Sequence, residues 1–167
     1  MRGEAGLLAD LNALGIPFAA YEHDAVFTVA ESDAVNAALP GAHTKNLFLK
    51  DHGGAYWLVT VPSAARVDLK ALPQAIGSKR VSFGKAEDMT RLIGIAPGSV
   101  TPMAAINASP GSITVVIDAN LAVSGIVNVH PLRNTATIGL SGAAIIDLLR
   151  HWGHNPRVAP IPIQESA

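Results

Sequence analysis

Apolar residues recur at the three- and four-residue spacing of one helix face in several segments of the chain. The first segment covers residues 4–14, where the apolar face consists of Leu7, Leu8, Leu11 and Leu14. Further helices are predicted for Val29–Ala38, Asp68–Ile76, Glu87–Ile93 and the segment between Ser141 and Gly153. Thr28 with Glu31 forms a capping box, and Gly94 suits the left-handed residue that ends a helix.

Shorter runs that alternate or are rich in β-branched residues predict strands. These runs are Phe18–Glu22, Asn46–Leu49, Ala55–Val61, Lys79–Phe83, Ser112–Asp118, Ile126–Val129 and Thr135–Leu140. Residues 51–54 read Asp-His-Gly-Gly and predict a hairpin. Since no internal repeat or linker is visible, residues 1–167 are expected to form a single α/β (α+β) domain with a mixed, mostly antiparallel sheet flanked by helices.

Composition narrows the class of protein. Hydrophobic residues make up 49% of the 167 positions and charged residues 15%, which is typical of a packed domain. The chain has no cysteine, so disulfides, thiolate metal sites and a cysteine nucleophile are all excluded. No apolar run approaches the length of a membrane span and no signal sequence is visible, so we expect a cytoplasmic protein that makes no membrane contact.

Charge is unevenly distributed along the chain. The net charge is only −1, which does not favour a general nucleic-acid binder. Residues 45–91 nevertheless hold eight basic and four acidic side chains. This surplus suits a few phosphate contacts, and it equally suits an ordinary solvated surface.

The segment from Gly94 to Pro102 is the first candidate for chemistry. It has glycines and prolines between a predicted helix and a predicted strand, so it is stiff yet open to close approach at Gly98. Main-chain N–H groups of Ser99, Val100 and Thr101 would be free to face an anion or a developing oxyanion. A rigid connector without function has the same composition.

Two further segments carry polar side chains at predicted strand ends. His130 follows one strand and can act near neutral pH as an acid, a base or a positioning group. Lys45 and Asn46 begin another strand, where a lysine could neutralise a phosphate. Neither a serine-hydrolase elbow nor a His-x-x-x-His metal motif is present, so an enzyme of this sequence would act without an obvious nucleophile, metal or cofactor.

Five segments together resemble a known family. They are Lys45–Lys50 (KNLFLK), Leu69–Leu72 (LKAL), Gly98–Pro102 (GSVTP), Val115–Asp118 (VVID), and His130-Pro with Asn134–Thr137 (NTAT). In this order they resemble the YbaK-like superfamily of prolyl-tRNA synthetase-associated editing domains, over about residues 5–155. Among its members, the Gly98 and His130 segments look most like the freestanding alanyl-tRNA(Pro) deacylases.

The resemblance implies a curved mixed sheet around a pocket for the aminoacylated 3′ end of tRNA(Pro), and hydrolysis of the alanyl ester. It implies that the main chain of Gly98, Ser99, Val100, Thr101 and Pro102 holds the ester, with the ribose 2′-hydroxyl helping to activate water. Lys45, Asn46 and Asn134 would line the pocket or hold the terminal nucleotide, His130 would shape it, and Phe27 and Thr28 would form its wall. Lys50, Lys79 and Arg80 would contact acceptor-stem phosphates. We expect a monomer without cofactor, with prolyl-tRNA synthetase as a further candidate partner.

Two alternatives stay open on sequence alone. One is the same reaction on another small aminoacyl group, such as cysteine or serine. The other is a non-catalytic module that binds a tRNA end or a synthetase. Within the favoured interpretation, Ser99→Ala and Thr101→Ala are expected to impair activity less than replacement of Gly98 or Pro102, because the loop is predicted to act through its main chain.

Overall fold

The structure of this chain is a computed structural model that describes residues 1–25, 34, 35 and 37–164. The helices with defined bounds are α1 (Glu4–Ala13), α2 (Leu72–Ile76), α3 (Ala86–Ile93), the 3₁₀ helix (Pro102–Asn107), α4 (Ala119–Ala122) and α5 (Gly142–His151). Most of the helix predicted for Val29–Ala38 lies outside the described residues. The other predicted helices are confirmed, although the one expected from Asp68 begins only at Leu72.

Within the described residues, eight strands form one mixed sheet. They are β1 (Ala19–Glu22), β2 (Ala42–Asp51), β3 (Tyr56–Pro62), β4 (Val81–Phe83), β5 (Thr114–Asp118), β6 (Val127–Val129), β7 (Ala136–Leu140) and β8 (Arg157–Ala159). Their order is β1-β7-β6-β2-β3-β5-β8, and β4 pairs with the end of β2. Four of the seven strand pairs in the described residues are antiparallel, so the predicted mixed, mostly antiparallel sheet is confirmed.

Local signals fix several of these boundaries. Gly94 ends α3 at a φ of 65°, the left-handed conformation that glycine adopts without strain. The Ser141 hydroxyl accepts the N–H of Ala144 at 3.0 Å and so caps α5. The hairpin after β2 is held by the Asp51 carboxylate, which accepts the N–H groups of Gly53 and Ala55. Each of these features agrees with the sequence pattern.

The two faces of the sheet are covered differently. The helical face carries Phe48, Leu58 and Val115, which pack with α1, α3, the 3₁₀ helix and α5. The opposite face carries Leu49, Val59 and Val116, which pack with α2 and the segment after β8. Because side chains alternate along each strand, neighbouring residues of β2 point to different faces.

Strand β2 joins the two parts of the sheet at a place that we call the seam, defined as residues 43–48 of β2 and the end of β6. Ala42 and His43 pair with β6, whereas residues 44–50 pair with β3. On the side of β6, no strand among the described residues pairs with β2 again until β4 begins at Leu49. The Thr44 hydroxyl donates to the carbonyl of Asn128 at 2.7 Å, which adds a side-chain bond across the seam.

Candidate active site

The Gly98 loop, residues 95–101, runs between two fixed ends. Gly94 ends α3 before it, and the 3₁₀ helix begins at Pro102 after it. Thr101 caps this helix, because its hydroxyl accepts the N–H of Met103 at 3.3 Å. Pro102 suits the first helical position, where no N–H is needed. The loop is therefore held at both ends by local backbone chemistry.

Asn46 ties the Gly98 loop to β2. Its amide nitrogen donates to the carbonyl of Val100 at 3.0 Å, and its amide oxygen accepts from the Thr60 hydroxyl at 2.6 Å. Both ends of the amide are thus engaged within the protein. This residue, predicted to line the pocket, holds the loop in place by the direct contact of its side chain.

Thr101 ties the same loop to the residue that follows β6. Its side chain is fully buried, and its hydroxyl donates to the main-chain carbonyl of His130 at 2.6 Å. The structure therefore brings together the loop, Asn46 and His130, three elements that lie far apart along the chain. The hydroxyl of Thr101 has a structural role that sequence reasoning missed.

Gly98 lies at the exposed part of the loop beside Asn134. A Cβ atom built on Gly98 would lie 3.8 Å from the Asn134 amide nitrogen, which is an ordinary contact distance. The φ of Gly98 also lies outside the left-handed range. Neither the backbone conformation nor the packing of the free protein therefore requires glycine at this position.

The main-chain N–H groups of the loop differ in their partners. The N–H groups of Val100 and Thr101 have no acceptor within the described part of the chain. The N–H of Ser99, in contrast, donates to the carbonyl of Ala96 at 3.1 Å. This corrects the expectation that all three N–H groups are free. Because Thr101 is fully buried and Val100 is half-buried, the N–H of Val100 is the one of this pair that lies in an accessible residue.

His130 has one ring nitrogen engaged and one without a partner among the described residues. Its Nδ1 lies 3.1 Å from the carbonyl of Ala136, and since a carbonyl only accepts, Nδ1 carries the proton. Burial lowers the pKa of the imidazole below the ordinary 6.5, and the charge of nearby His23 lowers it further, against the opposing effect of the Ala136 bond. The ring is therefore neutral at pH 7, with Nε2 as a hydrogen-bond acceptor.

Lys45 lies on the opposite face from Asn46. It pairs with Val61, and alternation places its side chain on the face that also carries His43. His43 pairs with Asn128 of β6, so this face continues across the seam toward β7. Lys45 and the Gly98 loop therefore lie on opposite faces of β2. Lys45 also lies in the part of β2 that pairs with β3 on one side and with no described strand on the other.

The three predicted tRNA contacts lie around the hairpin between β2 and β3. Lys50 Nζ lies 5.5 Å from the centre of the Tyr56 ring. The main chain of Lys79 donates to Asp51 at 3.3 Å, and that of Arg80 accepts from His52 at 2.9 Å. The side chains of all three are exposed or nearly so. This cationic edge lies about 13 Å from Asn46 along β2, at about 3.3 Å per residue.

Residues 23–148 match the family model described as an aminoacyl-tRNA editing domain. The chain belongs to this family. The match includes the Gly98 loop, Lys45, Asn46 and His130, all of which the structure places at or beside the seam. The predicted membership of a tRNA editing-domain family is thereby confirmed.

Two curated relatives align with nearly the whole of this editing domain. The prolyl-tRNA editing protein ProX of Acetoanaerobium sticklandii is 33% identical over 142 residues, which cover 84% of this chain and 87% of ProX. The prolyl-tRNA synthetase associated domain-containing protein 1 of Bos taurus is 36% identical over 157 residues, which cover 91% of each chain. A solved structure described as a proposed trans-editing enzyme for prolyl-tRNA synthetase has the same fold, with a TM-score of 0.73, 20% identity, and coverage of 98% and 99% of the two chains.

A cavity of about 890 Å³ opens on the editing domain near β1. Its lining residues are Tyr21, Glu22, His23, Asp24, Ala25, Ala34, Val35, Ala38 and Leu39. The Gly98 loop does not line this cavity. His23, which does line it, lies close enough to His130 to lower the pKa of His130. We place the candidate site at the loop and the seam, because the Gly98 loop meets the polar side chains of Asn46 and Asn134 and the main chain of His130 there, with the cavity as its extension.

The remaining predictions concern residues near this cavity. Phe27 and Thr28, predicted to form the pocket wall, lie outside the described residues. His23 was not singled out from the sequence, yet its Nε2 lies 2.9 Å from the Thr137 hydroxyl. Within residues 1–25, 34, 35 and 37–164, no group of three or more His, Cys, Asp or Glu side chains is arranged to hold a metal ion. In that same part of the editing domain, each helix is too short or too polar to span a bilayer.

Proposed function

We propose that this chain is a trans-acting hydrolase that removes alanine from mischarged tRNA(Pro). Membership of the aminoacyl-tRNA editing domain family supports the substrate class, and the names of the two curated relatives support tRNA(Pro). The observation that carries the proposal is the Gly98 loop, which is held against Asn46 and His130 and in which the half-buried Val100 has a main-chain N–H without an acceptor in the described residues. Such a donor suits the oxyanion that forms during ester hydrolysis.

The reaction needs little from protein side chains. A water molecule adds to the alanyl carbonyl carbon, and the carbonyl oxygen takes negative charge beside the N–H of Val100. The bond from that carbon to the ribose oxygen then breaks. The proton released by the water goes to the ribose oxygen, so the products are alanine and uncharged tRNA. The neighbouring ribose 2′-hydroxyl orients the water, in keeping with a site that lacks a side-chain nucleophile.

His130 contributes an acceptor to the pocket. Its Nδ1 proton is engaged with Ala136, which leaves Nε2 to accept a hydrogen bond from the α-ammonium group of the alanine. The lowered pKa of His130 keeps the ring neutral, so it does not repel that ammonium group. Its half-buried ring also limits the volume beside the alanine methyl group. A pocket of this kind admits alanine and excludes the proline ring by steric overlap.

Lys45 and Asn134 serve the terminal nucleotide. Lys45 lies at the open edge of β2, where its ammonium group can neutralise the phosphate that precedes the terminal adenosine. Asn134 lies beside Gly98, so its amide can bond the ribose or the base. Asn46 acts indirectly, because its amide is fully used in holding Val100.

The cationic edge binds the acceptor stem. Lys50, Lys79 and Arg80 surround the hairpin about 13 Å from Asn46, a separation that corresponds to a few base pairs of an RNA helix. Prolyl-tRNA synthetase is the natural source of the substrate and a candidate partner. The chain acts as a monomer in the cytoplasm and without a cofactor in this proposal.

A panel of charged tRNAs tests the proposal. Purified protein is incubated with tRNA(Pro) carrying labelled alanine, cysteine, serine or proline, and release of the free amino acid is measured. The proposal expects rapid release of alanine and no release of proline. Preferential release of cysteine or serine would assign a different substrate, and tRNA binding without release of any amino acid would show a non-catalytic module.

A further inference from the structure

Arg133 lies in the connection between β6 and β7, one residue before Asn134 and three after His130. Its guanidinium group reaches three partners. Nε contacts the Glu4 carboxylate at 2.5 Å, Nη2 contacts the Glu22 carboxylate at 3.0 Å, and Nη1 donates to the Thr135 hydroxyl at 2.8 Å. One side chain thus joins α1, β1 and its own loop.

The guanidinium group is well suited to this task. It is planar, permanently charged and carries five N–H donors in a fixed arrangement, whereas a lysine could satisfy only part of the same set. The two carboxylates raise the pKa of Arg133, in agreement with a pair of opposite charges at bonding distance. The same cluster reaches β1, since the carbonyl of Thr135 also accepts the N–H of His23 at 3.0 Å.

The loop that Arg133 holds is conformationally strained. The adjacent residue, Leu132, has a φ of 72°, a value that a branched side chain rarely adopts. Its side chain packs against the core beneath the helical face. A residue in this conformation persists only where its surroundings fix it. Packing of Leu132 against the core and the ion pairs of Arg133 with Glu4 and Glu22 hold the loop in this conformation.

The inner edge of the same loop forms part of the candidate site. The carbonyl of His130 accepts the Thr101 hydroxyl at 2.6 Å, and the amide of Asn134 lies beside Gly98. Any rotation of the loop would therefore move His130 and Asn134 relative to the Gly98 loop. Hydrolysis of an ester is sensitive to displacements of this kind.

We propose that Arg133 is a positioning residue, which holds the loop of His130 and Asn134 against the Gly98 loop through its bonds to Glu4 and Glu22. Arg133 itself need not touch the substrate. This inference rests on the proposed function for its catalytic consequence, although the geometry that it predicts can be measured without any substrate.

Arg133→Ala tests the inference through steady-state hydrolysis of alanyl-tRNA(Pro). We expect kcat to fall about tenfold, within the roughly 100-fold that a displacement of 1 Å can cost, and KM to change by less than about twofold. The matched control is Arg2→Ala, because Arg2 forms a comparable ion pair with Asp10 of the same helix α1 but does not reach the β6–β7 loop. An unchanged kcat in Arg133→Ala, or an equal loss in the control, would overturn the inference.

Two further measurements keep the test decisive. Arg133→Lys is expected to have a higher kcat than Arg133→Ala. If Arg133→Ala does not fold, Glu4→Gln replaces it, and its kcat is expected to fall by less than tenfold. The amide NMR signal of Gly98, which lies outside the mutated loop, is expected to shift in Arg133→Ala and to stay in place in Arg2→Ala. If the native protein releases no amino acid, the proposed function fails and this NMR shift alone decides the positioning role; an unmoved signal would refute it.

Discussion

The buried hydroxyl of Thr101 donates a hydrogen bond of 2.6 Å to the main-chain carbonyl of His130. This bond joins the Gly98 loop to His130, whose Nε2 has no hydrogen-bond partner among the described residues. The same hydroxyl accepts the N–H that begins the 3₁₀ helix. One small side chain thus sets the spacing between the two halves of the candidate site.

Thr101→Val is expected to lower both stability and activity. The change keeps the shape of the side chain but removes the hydroxyl, which leaves the carbonyl of His130 without its partner. Loss of such a buried hydrogen bond costs about 1–3 kcal/mol of unfolding free energy. Denaturant unfolding and single-turnover hydrolysis measure the two effects. Thr101→Ser, which keeps the hydroxyl, and Ser99→Ala serve as controls, and a fully active Thr101→Val would contradict the role given to this bond.

Gly98→Ala is expected to leave the fold intact and to abolish most of the hydrolysis. A Cβ at this position meets only the Asn134 amide at 3.8 Å, so stability should change by less than about 1 kcal/mol. A bound ester would approach the loop from the same side and would meet the added methyl group. Gly125→Ala is the matched control, since a Cβ there meets nothing within 4 Å. Equal activity of the two variants would show that no ligand approaches Gly98 closely.

Lys45→Ala is expected to reduce hydrolysis by about 100-fold without unfolding the protein, a loss typical of removing one group that stabilises the transition state. Lys45 is half-buried at the open edge of β2, where a phosphate can reach it. Single-turnover assays and circular dichroism test this expectation. Lys70→Ala, which alters an exposed lysine before α2, provides the comparison. Normal turnover by a folded Lys45→Ala protein would remove Lys45 from the site.

Arg80→Ala is expected to weaken tRNA binding in a salt-dependent manner. Each lost phosphate contact reduces the slope of log affinity against log salt by about 1. Binding of tRNA(Pro) across a range of salt concentrations gives this slope, and Lys50→Ala and Lys79→Ala should behave in the same way. Arg150 is exposed near the end of α5 and is not part of the hairpin, so Arg150→Ala should leave the slope unchanged. A slope unaltered by Arg80→Ala would exclude Arg80 from the interface.

Asp10 is expected to make stability depend on pH in the acid range. Hydrogen bonds from Arg2 and then Trp152 lower its pKa from 3.8 to about 2 against the opposing effect of burial. Because the folded pKa is the lower one, this contribution to stability is present above pH 3.8 and is lost as the pH falls through about 2. Unfolding of wild type and Asp10→Asn should therefore differ near neutral pH and converge toward pH 2. A difference that is constant with pH would contradict the shifted pKa.

The parts of the fold that the sequence predicted are those with local signals. The positive φ of Gly94 and the cap at Ser141 depend on neighbouring atoms alone, and both are as predicted. The 3₁₀ helix after Thr101 was missed, although Thr-Pro at its start is a recognisable cap followed by a suitable first residue. Strand β8 was also missed, because three residues of which two are exposed leave no periodic pattern.

The residues of the candidate site also divide into those with a local sequence signal and those whose roles depend on distant partners. The Gly98 loop could be found because its composition and its resemblance are both contiguous in sequence. The roles of Thr101 and Arg133 could not, because their partners lie 29 and 129 residues away. Asp68 gives a smaller example, since its carboxylate accepts the N–H groups of Lys70 and Ala71 in a turn and the helix begins only afterwards. Such long-range or competing bonds leave no local trace in the sequence.

The seam has a consequence for the cooperativity of the sheet. Strands β6, β7 and β1 join the rest of the described sheet through only two residue pairs of β2, at Ala42 and His43. The two groups of strands can therefore open as separate hydrogen-exchange units. A ligand that contacts both the Gly98 loop and His130 bridges the two units. Ligand binding should therefore slow hydrogen exchange in both units together.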